Sequence, residues 1–222
     1  MTATITSSAA CAPQYSPVEE LANAITGGVG LVLSVAGFAV LVTLAAVYAD
    51  AWAVAGAVVY GATLVLGFTT STLYHAARDP RRKVVLRKWD HAAIFTLIAG
   101  TYTPITLVNL RGPWGWALFG VAWGLAVAGI VMKIWLTGRF IKVSTAIYVA
   151  MGWMIVVAAK PMLSGVVPVV SLWLLLAGGL CYTGGAVVYM QKRLPFHHAA
   201  WHVFILAGSI THWLAILFAT AV

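Results

Sequence analysis

Charged residues are scarce in this sequence. They make up 8% of its 222 residues, and only five of them are Asp or Glu, whereas a soluble domain carries about 25% charged residues. Hydrophobic residues make up 62% of the chain and its mean hydropathy is +0.97. Once the apolar runs are set aside, no stretch is left that would form a soluble domain. The composition therefore predicts an all-α polytopic membrane protein.

Several familiar signals are also missing. The two cysteines, Cys11 and Cys181, provide no disulfide framework. The opening MTATITSSAACAPQYSP contains no Lys or Arg, so it lacks the charged region of a cleavable signal peptide. The sequence has no P-loop and no GxSxG elbow, and its HAAWH lacks the glutamate of the HExxH zinc motif. Any chemistry of this chain must therefore depend on residues outside these three motifs.

Seven apolar segments are long enough to cross a membrane, which takes about 20 residues for a core of roughly 30 Å. We expect a seven-transmembrane helix bundle forming one domain over 19–222, after a disordered cytoplasmic tail over 1–18. Breaks are expected at the basic run 78–88 and near Leu163-Ser164-Gly165, among other positions. The predicted spans are approximately 21–48, 51–75, 89–110, 114–135, 141–161, 166–190 and 198–221.

The basic residues predict the orientation. Placing the N-terminus inside puts 11 of the 13 Lys and Arg in inner loops and leaves only Arg111 and Lys160 outside. The N-terminus is therefore expected in the cytoplasm and the C-terminus outside. Topology accounts for most of the net charge of +8, so no nucleic-acid partner is expected. The expected partners are membrane lipids, with anionic headgroups near the basic run 78–88.

Polar residues gather at the predicted inner ends of four helices, although they lie far apart in sequence. Ionisable groups in a membrane span are costly, so each is a candidate for function. The group contains Glu19, Glu20, Asn23, Ser71, His75, Asp90, His91, His197, His198 and His202.

The spacing within this group indicates a metal site. Ser71 and His75 are four residues apart, as are His198 and His202, so each pair shares a helix face. Two histidines at this spacing, with His75 as the third ligand, form a zinc site with an open position for water. Another borderline metal remains an alternative.

Asp90 and Ser71 lie at the same predicted depth as the three histidines, which suggests a role for each of them at the site. Asp90 is expected to hold the water, accept its proton or orient a histidine, and Ser71 to donate to a substrate carbonyl. The remaining histidines need no metal. His212 lies roughly 15 Å beyond His202 along the helix and is expected to form an interhelical hydrogen bond. His91 and His197 are expected in solvated or headgroup contacts.

Four motifs resemble the bacterial hemolysin III family, within the progestin and adipoQ receptor superfamily. They are EELANAITGG (19–28), STLYHA (71–76), KWDHAAIFTLIAGTYTP (88–104) and HAAWHVFILAGSITH (198–212). The resemblance implies seven helices with the N-terminus inside, and Zn²⁺ held by three histidines, here His75, His198 and His202. It also implies that Asp90 contacts the metal-bound water. Gly27 stands where relatives commonly have His.

The superfamily is similar to alkaline ceramidases, so the resemblance suggests an enzyme that hydrolyses lipid amides. The leading hypothesis is a zinc-dependent hydrolase of membrane lipid amides in the bacterial plasma membrane, affecting lipid homeostasis. The first alternative is a membrane-lytic or channel-forming hemolysin. The second is a receptor-like regulator in which zinc is structural. The oligomeric state is left open by the sequence.

Overall fold

The computed structural model describes residues 15–136 and 140–221. Over these ranges the chain forms seven helices and no strand. Residues 1–14 of the predicted tail lie outside the described ranges. The helices are α1 Pro17–Tyr48, α2 Ala51–Ala76, α3 Pro80–Leu107, α4 Pro113–Leu136, α5 Ile141–Val166, α6 Val169–Met190 and α7 His197–Thr220.

Six of the helices in the described part of the chain are long and apolar enough to cross a membrane. The exception is α3, which begins with the basic run and carries four threonines between Thr96 and Thr106. The protein is therefore an all-α membrane helical bundle. The count of seven spans stays a prediction.

The break predicted over 78–88 is confined to residues 77–79 in the structure, and the rest of this basic run is helical. The side chain of Asp79 accepts a hydrogen bond from the backbone N–H of Arg82 at 2.8 Å, and Pro80 occupies the first turn. An aspartate cap followed by proline is a strong start signal for a helix. This local signal places the start of α3 nine residues before the predicted span at 89.

Helix α5 is irregular where the sequence predicted a break. It is α-helical to Trp153, tightens to a 3-10 helix over Met154–Ala158, and widens to a π-helix over Met162–Val166. Gly165 has a φ of 93°, a left-handed conformation that glycine adopts readily. The prediction of a break near Leu163-Ser164-Gly165 is confirmed.

Helices α1 to α4 pack in sequence order, α5 packs against α3 and α6, and α7 closes the bundle by packing against α1 and α3 as well as α6. The centre is filled by fully buried side chains such as Tyr60 and Ile216. This arrangement brings the starts of α1, α3 and α7 together with the end of α2. We call this the site end of the bundle.

Gly56 sets the separation of α2 and α3. A Cβ at this position would lie 2.7 Å from the Cα of Pro104, a backbone atom that cannot rotate away. We expect Gly56→Ala to destabilise the protein by about 1–3 kcal/mol through overpacking, measured as a lower midpoint of thermal unfolding in detergent. Gly120→Ala is the matched control, since a Cβ there meets no atom within 4 Å. Equal midpoints for the two variants would contradict the expectation.

Candidate metal centre

Three imidazole rings converge at the site end. His75 comes from the last turn of α2, and His198 and His202 come from the first two turns of α7. One nitrogen of each ring lies within 4.8 Å of the other two, and the Nε2 atoms of His75 and His198 are 3.0 Å apart. All three residues are buried. The structure thus brings together the three predicted ligands, which could hold a metal ion.

The start of α7 is fixed by α1. Phe196 precedes α7 with a φ of 53°, a conformation that is costly for a residue with a Cβ. Its backbone N–H donates to the Oε1 atom of Glu19 at 3.2 Å. This bond attaches the start of α7 to α1. His198 and His202 are one turn apart, so both rings lie on the same side of α7.

Hydrogen bonds on the outer nitrogens define two of the tautomers. The Nδ1 atom of His75 lies 2.8 Å from a carboxylate oxygen of Glu20, and that of His202 lies 3.2 Å from the carbonyl oxygen of Asn23. Both oxygens can only accept, so each Nδ1 carries a proton. In the neutral rings of His75 and His202, Nε2 therefore presents a lone pair toward the centre.

His198 has an adaptable partner. Its Nδ1 atom lies 3.1 Å from the hydroxyl of Tyr15, and burial raises the pKa of Tyr15 well above its usual range, so the hydroxyl stays neutral. A neutral hydroxyl can donate or accept. With the His198 proton on Nε2, this ring donates to His75. With the proton on Nδ1, all three Nε2 lone pairs face one another, and this arrangement fits a divalent cation.

Glu20 connects the cluster to α3. One of its carboxylate oxygens contacts His75, and the other lies 2.8 Å from the Nζ atom of Lys83. A carboxylate that accepts the outer proton of a histidine orients the ring and increases its basicity, and losing such a partner typically lowers metal affinity 10–100-fold.

We therefore expect Glu20→Ala to weaken zinc binding by about 10–100-fold, measured by competition with a chelating dye. Lys83→Met is the control, because it removes a partner of Glu20 but leaves the contact with His75 in place. A Glu20→Ala variant with wild-type affinity would show that this carboxylate does not support the ligand.

Ser71 and Asp90 face one cavity together with the histidines of α7. This cavity has a volume of about 470 Å³, and its lining includes Ser71, Asp90, His198 and His202. The hydroxyl of Ser71 lies 3.4 Å from Nε2 of His202. The carboxylate of Asp90 is bonded to Nδ1 of its neighbour His91 at 3.0 Å. Their catalytic roles remain predictions.

Away from this polar end the cavity walls are apolar. The lining continues between α3, α5 and α6 toward the opposite end of the bundle, and it includes Leu97, Ile98, Ile105, Val149, Leu172 and Leu176. An elongated apolar volume with a few convergent polar groups at one end is the usual form of a site for an apolar ligand.

The other histidines have separate roles. His212 donates from Nε2 to the carbonyl oxygen of Leu175 at 3.1 Å, which confirms the predicted interhelical hydrogen bond. His91 and His197 are largely enclosed by protein, and the expectation of solvated or headgroup contacts for them stays a prediction. The side chain of His91 is 13% exposed and bonded to Asp90, and His197 is buried beside the ring of Tyr15.

Sequence reasoning missed part of the surroundings. Tyr15 lies within the predicted tail, and Thr26, whose hydroxyl is 3.0 Å from Nδ1 of His202, was not distinguished from other threonines. Gly27, where a His was expected, packs against α2: a Cβ there would lie 3.0 Å from the hydroxyl of Thr72. The spacing of Glu20 and Asn23, one helical turn apart at the start of α1, is a signal that could have indicated this face.

Together the fold and the site define a multi-pass helical membrane protein with a buried three-histidine cluster suited to a metal ion. Comparison with known proteins agrees with this class. Residues 15–213 match the family described as Haemolysin-III related. The chain belongs to this family, which confirms the resemblance found in the sequence.

Relatives match over most of the chain. The chain is 44% identical to Hemolysin-3 of Bacillus cereus, over 90% of this chain and 91% of that protein. It is 42% identical to the Hemolysin-3 homolog of Bacillus subtilis (strain 168), over 90% and 93%. It is 28% identical to the human Monocyte to macrophage differentiation factor, over 91% and 86%. The bacterial relatives and the apolar helices identify a multi-pass bacterial membrane protein.

Proposed function

We propose that this protein is a zinc-dependent hydrolase of membrane lipid amides, with seven spans and its site end at the cytoplasmic face. One observation carries the proposal: the histidine cluster and an elongated apolar cavity share the same polar end, lined by Ser71, Asp90, His198 and His202. A cluster that served only to join helices would not require an adjoining cavity of this size.

The donor set suits zinc. Three neutral imidazole nitrogens from His75, His198 and His202 match the ligands of catalytic zinc sites, which leave one position open. When bound, zinc supplies a Lewis acid that polarises a carbonyl and increases the acidity of water.

The side chains around the cluster supply the remaining steps. Asp90 accepts a proton from the water that attacks the amide carbonyl and returns it to the departing nitrogen as the C–N bond breaks. The products are a carboxylate and an amine. Ser71 donates a hydrogen bond to the carbonyl oxygen, where negative charge develops.

The cavity supports a lipid as the substrate. Its apolar walls suit an acyl chain, and the polar end receives the amide next to Asp90 and Ser71. The excess of Lys and Arg in the loops at this end supports a cytoplasmic location for it by the positive-inside rule. A lipid of the inner leaflet therefore has its amide at the depth of the site when it enters between helices.

The test is release of fatty acid from a panel of lipid amides by purified protein, followed by mass spectrometry, with and without a chelator. The expected result is chelator-sensitive hydrolysis of at least one amide. Zinc-dependent stability with no turnover of any amide would support a structural metal in a regulator. Conductance in proteoliposomes that survives loss of the histidines would support a channel, although the apolar walls of the cavity do not favour an ion path.

A further inference from the structure

A buried lysine lies in the wall of the same cavity. Lys133, near the end of α4, is 2% exposed and belongs to the lining that also includes Asp90 and Ser71. Burying an ammonium group inside a membrane protein is costly, and such groups mark binding sites and pathways. The proposed hydrolysis assigns no role to this residue.

The ammonium group is held in position by α5. Its Nζ atom donates to the hydroxyl of Ser144 at 2.6 Å, and that hydroxyl donates in turn to the carbonyl oxygen of Phe140 at 3.1 Å. The ring of Tyr148 lies 5.8 Å from Nζ, within range of a cation–π contact. Ser144 and Tyr148 also line the cavity. Lys133 is thus a fixed positive charge in the cavity wall.

Tyr148 relates this charge to the candidate metal centre. Its hydroxyl donates to the carbonyl oxygen of His91 at 2.9 Å, and His91 is bonded to Asp90. Tyr148 therefore contacts both Lys133 and the residue next to Asp90, and Lys133 and Asp90 both line the cavity. The positive charge of Lys133 makes this side of the cavity favourable for an anion.

We propose that Lys133, held in position by Ser144, forms an anion-binding subsite for a carboxylate or phosphate group of the lipid held in the cavity. This inference rests on the proposed function for the position of the amide and extends it to the substrate class. Asp90 repels an anionic group and Lys133 attracts it, so the anion lies at Lys133 and the neutral amide lies toward Asp90. The preferred substrates are N-acyl lipids with an anionic group near the amide, rather than neutral ones.

A matched pair of ligands tests the subsite. N-oleoylglycine and N-oleoylethanolamine share the acyl chain and the amide, but only the first carries a carboxylate. We expect the wild-type protein to bind N-oleoylglycine at least about tenfold more tightly, as for a desolvated charge pair. Equilibrium binding of the radiolabelled ligands to the full chain in nanodiscs measures the preference, and mass spectrometry verifies that each ligand is intact. The phosphate ester of N-oleoylethanolamine distinguishes a phosphate preference from a carboxylate preference.

Substitutions of Lys133 test whether this residue causes the preference for the anionic ligand. Lys133→Met should bind the two ligands about equally, with the affinity for N-oleoylethanolamine unchanged, and Lys133→Arg should keep a preference for the anion. Lys142→Met is the control, because Lys142 is exposed on α5, and it should behave as the wild type. Lack of anion preference in the wild type, or an undiminished preference in Lys133→Met, would overturn the proposal. The wild-type comparison decides the matter even if Lys133→Met does not fold.

The outcomes also separate this inference from the proposed hydrolysis. Anion preference without turnover of any amide would leave the subsite standing and refute the enzyme. Turnover of amides with no preference between the two ligands would support the enzyme and refute the subsite.

Discussion

Replacing His198 and His202 together by alanine should reduce the zinc content of the purified protein from about one ion per chain to less than about a tenth. The expectation follows from the number of ligands: the double variant retains only His75, and a single imidazole cannot hold zinc against water and buffer. Metal analysis after purification without chelators or metal-affinity resin measures the effect. The loss should be accompanied by a lower thermal midpoint, since bound metal stabilises the folded state by mass action.

His212→Ala is the appropriate control for this variant. It removes an imidazole from the same helix, but one bonded to the carbonyl of Leu175 on α6 and outside the cluster. Its zinc content should equal that of the wild type. A wild-type protein without zinc, or a double variant that keeps its zinc, would show that the three histidines form a hydrogen-bonded cluster rather than a metal site.

Asp90→Asn should lower the rate of amide hydrolysis by about 10²–10⁴-fold while leaving the zinc content unchanged. The substitution preserves the shape of the side chain but removes its capacity to accept a proton, and general base catalysis typically contributes a factor of this size. Zinc should stay because Asp90 is bonded to His91 and does not belong to the three-histidine cluster. The measurement is the initial rate of fatty-acid release from the best lipid amide.

Asp50→Asn provides the comparison for the loss of a carboxylate. Asp50 caps α2 at the opposite end of the bundle, where its side chain accepts hydrogen bonds from Trp52 and Ala53, and asparagine is an equally good cap. Its rate should match the wild type. If Asp90→Asn also keeps the full rate, this aspartate is not the base. If it loses zinc along with activity, Asp90 acts on the metal ligands instead.

The three-histidine cluster could be predicted from the sequence because its signals are contained in short segments of the chain. The i, i+4 spacing of His198 and His202 places two rings on one helix face, and the charge count placed His75 at the same depth. Six of the seven helices are apolar runs long enough to cross a membrane. Each of these signals depends on periodicity and length, which a single sequence contains.

The surroundings of the cluster could not be predicted in the same way. The contact between Tyr15 and His198 joins residues 183 positions apart, and no periodicity specifies such a pair. The cavity depends on how α3, α5 and α6 are spaced, and therefore on packing. Lys133 looked like one more inner-loop cation in the charge count, although the structure buries it in the cavity wall. Burial of this kind is a property of the whole bundle.

The positions of the three histidines also order events during biosynthesis. His75 is present early in the growing chain, but His198 and His202 lie on α7, the last helix in the described part of the chain. Until α7 has inserted and packed against α1 and α3, the nascent protein offers one of the three imidazoles. Assembly of the three-histidine cluster therefore requires completed insertion, and a chain cut after α6 would lack two of the three candidate metal ligands.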